Sequence, residues 1–195
     1  GTGSDNTAVG RSAGQNITSG ASNLCLGKYS GGTNSPSGQI TTADHQMCLG
    51  ANQITHAYIK VSLTVSSDER DKTDFSDFSH GLDIVKNLKP VTYRWDDRSD
   101  YTTDDQPDIT KVTRDGSKKK PQLEVGFKAQ EVQTLMESLG HKVSDKTNVL
   151  ISETSDGNYK SLQYERFVPV LVNAIKEQQT LIEALTARVT ALEGA

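Results

Sequence analysis

The chain has 195 residues, enough for one ordinary domain with an appendage or for two small ones. Only 33% of the residues are hydrophobic and most of the 16 glycines precede Gly81, so the first third has too few large side chains to pack alone and is expected to need partner chains. A net charge of -4, with the lone basic run Lys118-Lys119-Lys120 set in a turn-rich loop, argues against nucleic-acid binding, which rests on a concentrated positive surface. No apolar run approaches the ~18 residues of a membrane span and no secretion signal opens the chain, so a soluble chain without membrane insertion is expected. Cys25 and Cys48 are too few and too widely spaced for a disulfide framework, no His or Cys pair stands at metal-ligand spacing, and no cofactor is implied. Asn16-Ile17-Thr18 reads as a polar turn.

The first region contains a degenerate repeat. Asn6-Thr7-Ala8-Val9-Gly10 leads to Ala13-Gly14, Asn23-Leu24-Cys25-Leu26-Gly27 leads to Ser30-Gly31, and Gln46-Met47-Cys48-Leu49-Gly50 is a third copy. Each copy predicts one or two short strands closed by a glycine turn, with too little apolar surface to stand alone, so the copies are expected to stack or to intertwine between chains. Cys25 and Cys48 occupy equivalent positions beside a leucine and read as small buried hydrophobes rather than reactive thiols.

Next, Ile59, Val61, Leu63 and Val65 alternate with polar residues in the period of a half-buried strand. The charged run Ser67-Asp68-Glu69-Arg70-Asp71-Lys72 follows, then a predicted helix carrying Leu82, Val85 and Leu88 that stops at Lys89-Pro90. Residues 91–95 read as a strand, 97–120 as a polar loop or open hairpin, 123–127 as a strand, and Ala129 to about Leu139 as a helix. From Ser161 onward the chain is expected to be helical. There Leu171, Ile175, Gln178, Ile182, Leu185, Val189 and Leu192 recur at spacings of 4, 3, 4, 3, 4 and 3, which is a heptad seam with one polar position able to fix register. A helix packed on its own domain fits the periodicity equally well.

Ser67 and Lys72 stand five residues apart, and a serine with a lysine as base can form a hydrolytic pair, although on a charged run the spacing alone favours a solvated turn. At this point the chain resembles a known family, the C-terminal intramolecular chaperone and auto-peptidase domain of endosialidase tailspikes and other phage fibres. The family pattern Ser-Asp-x-Arg-x-Lys stands as Ser67-Asp68-Glu69-Arg70-Asp71-Lys72, followed by Asp74 and Phe75. Leu88-Lys89-Pro90-Val91-Thr92-Tyr93-Arg94-Trp95 looks like its second segment, Gly126-Phe127-Lys128-Ala129-Gln130-Glu131-Val132 like its third, and Tyr164 with the heptads like its closing part. Lys128 replaces a more usual apolar residue, and the loop between Asp97 and Lys120 looks particular to this chain.

The resemblance implies an α+β chain: an intertwined trimeric β fibre segment over residues 1–66, then a mixed α/β chaperone domain over 67–195 whose last part, 161–195, forms a trimeric coiled coil. It makes Ser67 the nucleophile and Lys72 the general base of a single self-cleavage, with Asp68, Arg70 and Asp74 in support. Attack by Ser67 on its own carbonyl would close a strained four-membered ring. Attack on the carbonyl of Ser66 passes through a five-membered ring, which places the cut between Ser66 and Ser67 unless the serine reaches another chain or activates water. Lys72 must be neutral to act, and burial by Phe75 and Phe78 with repulsion from Arg70 is expected to favour that form, against Asp68, Glu69 and Asp71. His80 is the second candidate base. Asp68 and Arg70 fit a strand-end cap or an interchain ion pair equally. The partners implied are two further copies in a homotrimer and, for the mature fibre, a host-surface receptor. The implied location is the virion, with the chaperone part released in the host cytoplasm during assembly. The alternative is a receptor-binding tip whose C-terminal region stays attached as a trimerisation module. An enzyme acting on host polysaccharide has little support, because no paired carboxylates stand out within the repeats.

Overall fold

A computed structural model describes residues 1–103 and 105–194, so the loop reading at Asp104 falls outside it. The chain divides into two compact units. The first comprises Gly1–Tyr58, Val91–Gly126 and Glu153–Ser161, and the second Ile59–Pro90, Phe127–Ser152 and Leu162–Ala195.

In the first unit the three repeat copies become β1 (Thr7–Val9), β2 (Leu24–Leu26) and β3 (Met47–Leu49), stacked as a parallel sheet in strict register, Thr7 on Leu24 on Met47 and Cys25 on Cys48. The stacking of these strands takes place within one chain, whereas the resemblance implies a segment intertwined between three chains. Two features hold the register. The first residue of each copy forms an amide ladder: Asn6 Oδ1 accepts from Asn23 N and Asn23 Nδ2 at 3.0 Å, and Asn23 Oδ1 accepts from Gln46 N at 2.8 Å. The glycine closing each copy turns with positive φ, 128° at Gly10, 101° at Gly27 and 77° at Gly50. A Cβ at Gly10 would lie 2.7 Å from the Gly27 carbonyl carbon, so side chains are excluded on both counts. Each strand with the segment that follows it makes one coil of the stack, and inside the stack Cys25 and Cys48 are buried with Ile40, as expected of small hydrophobes.

The same unit contains an antiparallel pair, β4 (Val91–Tyr93) with β5 (Glu124–Gly126), which fits the open-hairpin reading of the segment between them. Within that segment Arg98–Tyr101 forms a 3-10 turn. Lys118 and Lys119 are exposed, as expected of a solvated loop, while Lys120 pairs with Asp100 at 2.9 Å.

The second unit is built on α1 (Gly81–Asn87), α2 (Ala129–Ser138) and α3 (Phe167–Glu193). Their core is Ile84, Val132, Met136, Leu150, Phe167 and Val170, with Phe78, Phe127 and Leu135 packed against it. Each such side chain contributes about 1.5–3 kcal/mol when fully buried. The cap of α1 comes from far along the chain, since the Glu177 carboxylate accepts from Gly81 N at 3.2 Å and Leu82 N at 2.7 Å. Gly81 lets α3 approach, because a Cβ there would meet Ala174 N at 2.3 Å. Helix α1 stops before Lys89-Pro90, as proline disfavours helical backbone in the residue ahead of it.

Two expectations are corrected. Residues 59–65 form no strand, and Ile59, Val61, Leu63 and Val65 are 58–78% exposed; the alternation is present, but among the described residues no neighbouring strand supplies a ladder. The last helix starts at Phe167 rather than near Ser161. Ahead of it lie a strand, β7 (Lys160–Leu162), which pairs with β6 (Ile151–Glu153), and a 3-10 turn over Tyr164–Arg166. Pro169 then sits in the first turn of α3, where its missing N–H costs nothing.

Candidate functional site

The charged run folds by local rules. Asp68 has extended backbone and its side chain accepts from Arg70 N at 2.9 Å, capping a 3-10 turn over Glu69–Asp71. Arg70 answers with a two-pronged contact, Nε to Oδ1 at 3.0 Å and Nη2 to Oδ2 at 2.6 Å. That guanidinium, helped by the Arg70 N–H, holds the Asp68 carboxyl below its ordinary range. Within the chain the Asp68–Arg70 pair is thus both a turn cap and an ion pair.

The turn reverses the chain so that residues five apart meet. Lys72 N donates to Glu69 O at 3.1 Å, its backbone returns to the extended region, and its side chain reaches back to place Nζ 2.6 Å from Ser67 Oγ and 3.4 Å from Ser67 O. With an ammonium at Nζ the lysine donates this bond. With a neutral amine the hydroxyl would donate instead, which is the arrangement that general-base chemistry requires.

The surroundings differ from expectation. Ser67 and Lys72 are exposed, Phe75 is 68% exposed, and Phe78 packs on the core of its unit, so neither aromatic buries the amine. Arg70 is engaged by Asp68. Asp74, with φ of 56°, takes a long hydrogen bond from Thr73 Oγ1 at 3.4 Å. His80 lies edge-on to His141, with ring centroids 6.4 Å apart. Ser66, the residue ahead of the candidate nucleophile, is exposed and lies in no helix or strand.

Along α3 two faces separate. Phe167, Val170 and Ala174 are buried and Glu177 caps α1, which forms the packing face. Leu171, Ile175, Ile182, Leu185, Val189 and Leu192 are 47–78% exposed, and Gln178 is exposed on the same stripe. The heptad seam is thus distinct from the face on which the helix packs in its own unit. Glu177 was not singled out from the sequence, and its long-range capping role leaves no local motif there. Among the described residues no cluster of three or more metal-ligating side chains occurs, and no helix is long and apolar enough to cross a membrane.

No curated protein matches the chain. Among chains of solved structure, one titled "Crystal structure of a novel intramolecular chaperon" is similar, with 18% identity over 58% of this chain and 98% of that one, at a TM-score of 0.36. Residues 67–141 match the model of the family Peptidase_S74, described as the chaperone of endosialidase. From Ser67 to His141 the chain thus carries the sequence pattern of the chaperone of endosialidase, as its motifs imply.

Proposed function

We propose that residues 67–195 form an intramolecular chaperone that brings three copies of the chain into register, so that the repeats within residues 1–66 assemble as a fibre, and then cuts itself away. The observation that carries this reading is the 2.6 Å approach of Lys72 Nζ to Ser67 Oγ inside the span that matches the family. The seam from Leu171 to Leu192 is the trimerisation element, and its open apolar face supports that role.

In the reaction Ser67 Oγ attacks the carbonyl carbon of Ser66 while Lys72 takes the hydroxyl proton. The Ser66–Ser67 amide bond breaks, the leaving amine takes that proton, and an ester joins the Ser66 acyl group to Ser67 Oγ. Water then hydrolyses the ester, leaving a carboxylate at Ser66 and a free amine at Ser67. Ser67 and Lys72 are exposed in the single chain, and a neighbouring chain that covers the turn would exclude water from the pair. Cleavage is accordingly gated by assembly. Templating lowers the entropy cost of ordering strands before any contact rewards it, and removal of the template turns reversible into kinetic stability. The finished fibre belongs on a phage virion and meets a receptor on the host surface.

The test is a denaturing gel of freshly expressed protein. Wild type gives pieces of about one third and two thirds of the 195 residues, and Ser67→Ala an intact chain that still forms trimers. An intact wild-type chain would leave the C-terminal region as an uncleaved trimerisation module of a fibre tip.

A further inference from the structure

Two stretches that follow Ser67 in sequence, 91–126 and 153–161, fold in the same unit as the repeats. Their contacts converge on the segment between β2 and β3 and on Asn52 just past β3. Asp156 Oδ2 accepts from Gln39 N at 2.8 Å, while its Oδ1 takes Thr154 Oγ1 and Asn158 N and so fixes the carboxylate in place. Gly38 leaves room for this approach, because a Cβ there would sit 2.4 Å from Asp156 Oδ2. Tyr159 OH donates to Thr33 O at 3.0 Å. Asn52, just past β3, donates from Nδ2 to the buried Ser99 Oγ at 2.9 Å and, more weakly, to Tyr159 OH at 3.5 Å. The Arg98 guanidinium lies over the Tyr159 ring at 5.4 Å and donates to Asn158 O, bracing the two stretches against each other.

None of these bonds involves residues 59–67, which are exposed, so cutting the Ser66–Ser67 bond leaves every one of them intact. We propose that Arg98, Ser99, Asp156 and Tyr159 form a noncovalent clasp that holds the chaperone piece on the repeat stack after the chain is cut, which makes cleavage and release two separate steps. The clasp rests on the proposed reading of Ser67 for its timing but not for its contacts. Its partner is the fibre's own repeat stack, recognised through backbone groups of Thr33 and Gln39 in the segment between β2 and β3 and through the Asn52 amide just past β3. Burial works to raise the Asp156 carboxyl, but hydrogen bonds from Thr154, Asn158 and Gln39 outweigh it and hold the group below its ordinary range, so at neutral pH the acceptor is charged.

The experiment uses full-length chain tagged at the N-terminus, captured on resin after cleavage and washed, with the retained C-terminal piece measured over time. Wild-type pieces should elute together in native buffer and part only in denaturant. The pair of changes Asp156→Ala with Tyr159→Phe should shorten the lifetime of the joined pieces at least tenfold while leaving the extent of cleavage unchanged. Asn52→Ala attacks the clasp from the fibre side and should also speed release, which guards against a folding defect in the first variant. Wild-type pieces that separate as soon as they are cut, or variants that hold as long as wild type, would overturn the clasp. If no self-cleavage occurs, a site for a sequence-specific protease inserted after Lys60 makes the cut, and the same lifetimes decide the clasp independently of Ser67.

Discussion

Replacing both Ile182 and Leu185 with Asp tests the seam of α3 most directly. These side chains are 48% and 58% exposed in the single chain, so about half of each is available for burial in a trimer. Full burial of such a side chain contributes about 1.5–3 kcal/mol, so each available half contributes about 1 kcal/mol, and the two positions in three chains about 6 kcal/mol. That corresponds to about four decades in the trimerisation constant, before the further cost of enclosing six unpaired carboxylates. The helix should survive, because its buried contacts are made by Phe167, Val170 and Ala174 on the other face. Light scattering at micromolar concentration should therefore find monomers of unchanged helix content by circular dichroism, and the denaturing gel should find them uncleaved. A clean, normally cleaved trimer would refute the reasoning and move register-setting to the fold ahead of α3.

Lys72→Arg should leave the chain uncut on a denaturing gel, because a guanidinium stays protonated and cannot accept the Ser67 proton; a cleaved Arg variant would show that position 72 supplies charge alone. Cys25 and Cys48 should react with an aromatic disulfide reagent only on unfolding, since both are buried and Ser35 Oγ lies 2.8 Å from Cys48 Sγ; fast reaction of two thiols in native buffer would show that the coils open readily.

What the sequence could reveal depended on how local the physics was. Asp68, Arg70 and Lys72 meet through one turn, so a motif of six residues was enough to bring the lysine to the serine. The repeats were legible as units because each copy has the same short strand and glycine turn. Whether copies stack within a chain or between chains depends on partners that a periodicity does not name. The alternation from Ile59 to Val65 failed as a strand for the same reason: a pleated pattern records which side chains agree, not whether an edge is available. Local polarity marked the stretch from Asp97 to Lys120 as a loop, and could not disclose that Ser99 would be buried against Asn52. Glu177 caps a helix 96 residues earlier in the chain, a pairing that only the folded unit defines.

The parallel stack of coils has no intrinsic length. Each coil satisfies its neighbour through one amide, one glycine turn and three strand residues, so stability grows by nearest-neighbour increments as coils are added. The intervals of 17 and 23 residues between the closing glycines show that excursions outside the strand are free to vary while the register is kept. Duplication or loss of a whole coil would therefore change reach without redesigning any surface, and loop insertions would decorate the sides without disturbing the ladder. A chain built this way can alter what it displays and how far it extends as two independent quantities.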